Sequence, residues 1–169
     1  VLTGAGMSTE SGIPDFRSSS GMWSEVDPFE VASIEAFHRD PLRVWRWYGP
    51  RIRGLCAAEP NPGHLALAAL ERAGLVRAVI TQNIDALHTR AGSEDVIEVH
   101  GSIRCSVCLT CTHEEPLHAV LHQLEGREAP ACPACGAILK PGGVMFGELL
   151  PAAEAARASS TKRAKPSES

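Results

Sequence analysis

The chain has 169 residues, 44% of them apolar and 21% charged, which is enough for one globular domain with a real core and a small appended module. A formal net charge of −4 argues against a nucleic-acid-binding surface, and no apolar run approaches the roughly 20 residues that span a bilayer. The opening Val1-Leu2-Thr3-Gly4 has neither the basic lead nor the long apolar stretch of a signal peptide. Lacking an initiator Met, it reads as the end of a strand whose true start lies upstream.

In chain order, Val1 to Thr3 predicts a strand that ends in the turn Gly4-Ala5-Gly6, with a short helix beginning near Ser8 before the loop Gly12-Ile13-Pro14-Asp15. Apolar residues at helical spacing predict helices from Pro28 to about Phe37 and from Pro41 to about Leu55, each with its proline in the first turn. Asn61-Pro62-Gly63 reads as a turn, and His64 to Ala73 as a helix stopped by Gly74. The β-branched run Val76 to Thr81 predicts a buried strand. A helical turn through Leu87 and a strand from Val96 to His100 follow. This alternation predicts an α/β fold built on a partial Rossmann-type parallel sheet. Residues 1–103 and 137–151 form the expected sheet and helical lobe, 104–136 a separate metal-binding module. The Ser- and Lys-rich segment 152–169 is expected to be disordered.

Five of the six cysteines fall between Cys105 and Cys135. Tight C-x-x-C pairs in a chain without a leader favour metal over disulfides, and a reducing cytoplasm as the compartment. Cys108-x-x-Cys111 and Cys132-x-x-Cys135 stand twenty residues apart, a spacing suited to a four-thiolate zinc site. Such a closed shell leaves no open position, so one zinc ion there would be structural. Cys105-x-x-Cys108 is also a knuckle, so Cys105 competes with Cys111 as a ligand. The tighter loop favours Cys111. Taken alone, the module could equally be a binding-only zinc ribbon.

Gly4-Ala5-Gly6-Met7-Ser8-Thr9 lies between a strand and a helix, where backbone N–H groups can cradle phosphates, although the third glycine of the dinucleotide fingerprint is missing. Asp15, Phe16 and Arg17 follow it. Thr81-Gln82-Asn83-Ile84-Asp85 follows a second strand end, where open α/β sheets place their ligands. Each residue has a plain alternative. Asp15 can cap a turn, Asn83 and Asp85 can cap the next helix, and His100 can be an ordinary strand-end histidine.

Taken together, these segments resemble the signature of the sirtuins. The resemblance rests on Gly4-Ala5-Gly6-x-Ser8, Gly12-Ile13-Pro14-Asp15-Phe16-Arg17, Thr81-Gln82-Asn83-Ile84-Asp85-x-Leu87-His88, His100-Gly101, the cysteine quartet, and Phe146-Gly147-Glu148-x-x-Pro151. It covers residues 1–151 in order. It implies NAD-dependent protein-lysine deacylation: NAD and an acyl-lysine protein or peptide meet in the cleft between a Rossmann-type and a zinc-containing domain, nicotinamide leaves, and the acyl group passes to ADP-ribose. It further implies that His100 is the general base, and an imidazole suits that work near neutral pH. Gly4, Ala5, Gly6, Ser8, Asp15, Phe16, Arg17, Gln82, Asn83 and Asp85 would line the NAD site. Val144, Phe146 and Gly147 would belong to the strand that pairs with the substrate peptide.

Tyr48 and Arg51, at i and i+3, share one helix face. They resemble the pair that binds the acyl carboxylate in the desuccinylase and demalonylase subclass, where a guanidinium fork suits a carboxylate. Beyond Pro151 the family's remaining Rossmann segments find no counterpart, so the resemblance reads as truncated at both ends. The alternative is a catalytically inactive zinc-ribbon interaction module or a truncated fragment of such an enzyme. No membrane and no nucleic-acid partner is expected, and the oligomeric state stays open.

Overall fold

Short β-branched runs at three places in the chain make a parallel sheet. In the computed structural model, which describes residues 1–163 apart from 17, 19, 20 and 25 and the side chains of 162 and 163, β1 (Leu2–Thr3), β2 (Val79–Thr81) and β3 (Val96–Glu98) pair in the order β1-β2-β3. All three residues of β2 are buried, as a parallel strand covered on both faces should be. The register places Thr3 beside Thr81 and Thr81 beside Glu98, so the three strands end in one row. Between β1 and β2, Ala5–Ser11 winds as a 3-10 helix. The helices α1 (Pro28–Val31), α2 (Ile34–Arg39), α3 (Pro41–Ala57) and α4 (Pro62–Arg72) follow. Prolines open α1, α3 and α4, where a missing N–H costs nothing.

The single helix predicted from Pro28 to Phe37 is two. Ser33 takes an extended conformation, caps α2 through Ala36 N–H at 3.0 Å, and forms a parallel bridge with Phe146. The backbone bonds Ile34 N to Phe146 O (3.0 Å) and Phe146 N to Ala32 O (2.9 Å) interrupt the helix. The segment expected to be a strand at Phe146-Gly147-Glu148 is correspondingly held by this one bridge, outside any strand.

A second, antiparallel sheet has the order β5-β4-β6, from β4 (Gly101–Val107), β5 (Glu114–Pro116) and β6 (Lys140–Gly143). The short helix α5 (Leu87–Arg90) precedes it, and α6 (Leu117–Gln123) lies within the cysteine module. Gly101 and Gly142 make the β4–β6 crossing possible. A Cβ on Gly142 would lie 2.2 Å from the Cys105 carbonyl oxygen, and one on Gly101, at φ +72°, 2.4 Å from the Gly142 carbonyl oxygen. Backbone meets backbone there.

Two buried clusters divide the molecule. Ala36, Phe37, Val44, Trp45 and Ile52 of the helices pack with Cys108, Val120, Leu124, Cys132, Leu139 and Met145. Trp45 is 1% exposed and donates its indole N–H to Leu139 O at 2.6 Å. Thus α2 and α3, grouped with the sheet lobe on sequence, share their core with the cysteine module. The second cluster joins Ala78, Ile80 and Ile97 of the sheet region to Ala158.

Ala158 corrects the expectation of a disordered segment over its first twelve residues: Ala152–Arg163 is a helix, α7, and 164–169 lie outside the described residues. Alanine-rich composition favours helix, Ala158 is buried against β2 and β3, and Arg157 pairs with Asp95 at 2.6 Å. Among the described residues no helix is long and apolar enough to cross a membrane.

Candidate functional site

The aligned strand ends gather three motifs. Gly4 to Gly6 leave β1, Gln82 to Asp85 leave β2, and His100 lies two residues past β3. Asn83, 8% exposed, ties the first two together: its amide donates to Gly4 O at 3.0 Å and to Ser8 Oγ at 3.1 Å. Ser8 in turn donates to Asp85 Oδ2 at 2.6 Å, and Asp85 Oδ1 accepts from Leu87 N at 2.9 Å. Asp85 therefore caps the turn into α5 and holds the glycine loop from within, buried at 5% exposure. Gln82 is exposed at the rim. Ala5 and Gly6 lie in the 3-10 helix, and Gly6 O accepts from Thr9 Oγ1 at 2.9 Å.

His100 Nδ1 lies 3.0 Å from Gln82 O. A carbonyl can only accept, so Nδ1 carries the proton and Nε2 is left as the basic nitrogen. The same residue's carbonyl accepts from Val144 N at 2.7 Å, which brings the segment Val144 to Gly147 alongside it. That segment is clamped at its far end. The Glu148 carboxylate accepts from Met145 N at 2.7 Å and from the buried Lys140 ammonium at 3.1 Å, which also donates to Pro141 O and Gly143 O. Burial lowers the Lys140 pKa, and the facing Glu148 carboxylate raises it.

Between the two sides runs a stack of flat groups. Phe16 stacks on Trp23 at 5.3 Å, Trp23 on Trp47 at 5.4 Å, and the Arg51 guanidinium lies 4.1 Å from the Trp47 ring centroid. Phe146 joins from the side, 6.2 Å from Trp23. Tyr48 meets Trp47 edge-on at 4.8 Å. Burial, then the Glu148 charge, pushes its hydroxyl pKa up, with Arg51 opposing; Tyr48 stays a neutral donor. Arg51 also donates to Trp47 O at 2.8 Å. Asp15 sits at the start of this segment and accepts from Ser18 N at 2.9 Å. Arg17 lies outside the described residues.

Cys108, Cys111, Cys132 and Cys135 come together from two knuckles, their four sulfurs within 4.8 Å of one another. Across the knuckles the sulfurs are 3.5 Å (Cys108 to Cys135) and 3.6 Å (Cys111 to Cys132) apart. A tetrahedron with ligand bonds of ~2.3 Å has edges of about 3.8 Å, so the donor set fits zinc in both chemistry and size. Cys105 is on β4 opposite Pro116 and outside the group, whereas Cys111 is within it.

Three contributors were not singled out on sequence. Trp23 completes the aromatic stack, Lys140 clamps the segment after β6, and Asn61, read there only as part of a turn, reaches the glycine loop. Asn-Pro before an apolar run is a helix N-cap signal, but the reach across to another segment is tertiary information.

Residues 4–165 match the Sir2 family. The chain is 49% identical over 156 residues to an NAD-dependent protein deacylase of Pyrococcus furiosus, covering 91% of this chain and 62% of that protein. It is 49% identical over 148 residues to an NAD-dependent protein deacetylase of Saccharolobus solfataricus, covering 88% and 60%. Among solved structures it resembles a Sir2 homologue in complex with NAD (TM-score 0.82, 45% identity, 93% of this chain and 60% of that one). It also resembles Sir2Tm bound to a propionylated peptide (TM-score 0.82, 41% identity, 93% and 62%). The chain thus spans about three-fifths of the length of these relatives.

Proposed function

The chain belongs to the Sir2 family, and from that premise we propose that it carries the catalytic cleft of an NAD-dependent protein-lysine deacylase. The observation that carries this reading is the row of strand ends, which brings the glycine loop, the Gln82–Asp85 segment and His100 to one edge of the parallel sheet. Ligands in open α/β sheets bind beyond that edge. NAD, when bound, supplies a ribose carbon activated by the departure of nicotinamide. Ser8, Asn83 and Asp85 keep the glycine loop rigid for the phosphates and ribose, and His100 Nε2 takes a proton from a ribose hydroxyl while Nδ1–H stays anchored on Gln82 O. Phe16 and Trp23 wall off water. The exposed Gly147 offers backbone to an extended peptide, while Phe146, whose own N–H and C=O are taken up by Ala32 and Ile34, presents its ring beside it. A non-catalytic zinc ribbon would leave the His100 anchor and the Ser8–Asn83–Asp85 network without a role. The reaction is a transfer of the acyl group to ADP-ribose, in a reducing compartment, the cytoplasm, where the six cysteines would stay out of disulfides.

Incubated with NAD and an acyl-lysine peptide, the chain is expected to release nicotinamide together with free lysine peptide. His100→Ala should cut product formation by about 10² to 10⁴-fold, the usual worth of a positioned base. Unchanged turnover in that variant would remove the reading.

The acyl group preferred is an acidic one, succinyl, malonyl or glutaryl. Support comes from Tyr48, a neutral hydroxyl donor, and Arg51, one helical turn on, held flat against Trp47. Arg51→Met is expected to lower kcat/KM on a succinyl-lysine peptide by ~10 to 100-fold, the worth of a charge-assisted contact, and to leave an acetyl-lysine peptide nearly unaffected. Equal losses on the two peptides argue against a carboxylate clamp.

A further inference from the structure

The glycine loop is gripped from two sides, and only the inner grip, through Asn83 and Asp85, is accounted for by the site. The outer grip is Asn61. Its side-chain oxygen accepts from Gly63 N at 2.9 Å and His64 N at 3.3 Å and so caps α4. Its side-chain nitrogen turns the other way, donating to Met7 O at 2.8 Å and Ser11 Oγ at 3.1 Å, across 54 and 50 residues of sequence. The side chain is 7% exposed, so water competes little for these bonds. The joint is close-fitting: a Cβ on Gly63 would lie 3.0 Å from Met7 Cε. Met7 and Ser11 bracket Ser8, whose hydroxyl carries the link to Asn83 and Asp85.

We propose that Asn61 is a positioning residue for the nucleotide: by locking the Met7 peptide and Ser11 onto the rigid start of α4, it holds the Ala5–Ser11 segment in the shape that receives the diphosphate and ribose of NAD. The proposal rests on the deacylase reading. A loop that must be ordered before it binds loses affinity by the cost of that ordering. Asn61 removes this cost in advance, with the oxygen of its amide serving the helix and the nitrogen serving the loop.

Those two roles can be separated by substitution. Asn61→Ser and Asn61→Asp both keep a good N-cap acceptor for α4, and neither supplies the amide donor to Met7 O. ADP-ribose binding by calorimetry and amide hydrogen exchange are measured on the parent chain and both variants. In Asn61→Ser the ADP-ribose Kd is expected to rise about tenfold, the effect of losing roughly one buried hydrogen bond. Exchange should quicken across residues 5–12 and stay as in the parent across 62–72. Asn61→Asp should weaken binding further, because its carboxylate faces the Met7 carbonyl. A cap-only role predicts the opposite pattern: faster exchange in α4 if capping suffers, or no change anywhere, with ADP-ribose bound as by the parent. Either result overturns the proposal alone. A parent chain that binds no ADP-ribose overturns the deacylase reading and this proposal together.

Discussion

Treating the purified chain with a strong zinc chelator is expected to release one zinc ion per chain and to unfold more than the cysteine module. The module has little of its own to stand on, with the last four residues of β4, one three-residue strand, one seven-residue helix and two knuckles. A structural four-thiolate zinc contributes on the order of 10 kcal/mol to such a unit. Cys108 and Cys132 are members of the same buried cluster as Phe37, Val44, Trp45 and Ile52. Losing the metal therefore withdraws one wall of the core on which α2 and α3 rest. Near-UV circular dichroism should fall and the emission of buried Trp45 should shift to the red. Cys111→Ser should reproduce both changes, and Cys105→Ser should retain metal and spectrum, since its thiol lies outside the cluster. A chelated chain with parental Trp emission would show that the thiols hold the module without metal.

The second large effect is acid sensitivity. His64 and His88 are 0% and 1% exposed, with ring centroids 4.7 Å apart. His88 Nε2 is 2.9 Å from Thr3 Oγ1, while His88 Nδ1 and His64 Nε2 have no hydrogen-bond partner among the described residues. Burial, then the neighbouring His64, lowers the His88 pKa to about 4, with Asp85 opposing, and His64 moves in the same direction through burial. A folded-state pKa below the unfolded one means that the unfolded chain takes up the proton first. Stability from this source is complete above the unfolded value near 6.5 and is lost as the pH falls from there towards 4, levelling off below. One group shifted this far represents ~3 kcal/mol across that window. Urea midpoints at pH 7 and pH 4.5 measure it, with His88→Gln as the control. The pH slope should flatten in the variant, and a slope identical to that of the parent would place the acid sensitivity elsewhere.

Much of the site was legible because its chemistry is local. A strand followed by Gly-Ala-Gly, a polar run after the next strand, and two C-x-x-C knuckles announce themselves by spacing, and Pro28 and Pro41 mark helix starts without any tertiary information. What escaped is written in contacts between distant segments. The break at Ser33 exists because Phe146, 113 positions away, offers a backbone partner there. The α7 helix has a weak pattern of its own and is recognisable only with Ala158 against the sheet. Likewise α2 and α3 carry apolar stripes that any lobe could bury, and nothing in their spacing says that Trp45 will lie under Leu139. Asn61 shows the limit most clearly. A helix cap is a property of four residues, whereas its hold on Met7 is a property of the fold.

The glycine crossing of β4 and β6 has a further consequence, for how this architecture can vary. Gly101 and Gly143 face each other on one rung of the ladder, so the chain enters and leaves the metal module at points about 5 Å apart. A segment whose two ends nearly touch can be lengthened, shortened or exchanged without altering the distance its host must span. The module is in this sense a cassette. His100 and Val144, flanking the rung, stay joined by their 2.7 Å bond whatever the cassette contains. Descendants of this fold are therefore free to remodel the surface around the metal, while Gly101 and Gly142, where a Cβ would meet backbone, stay closed to change.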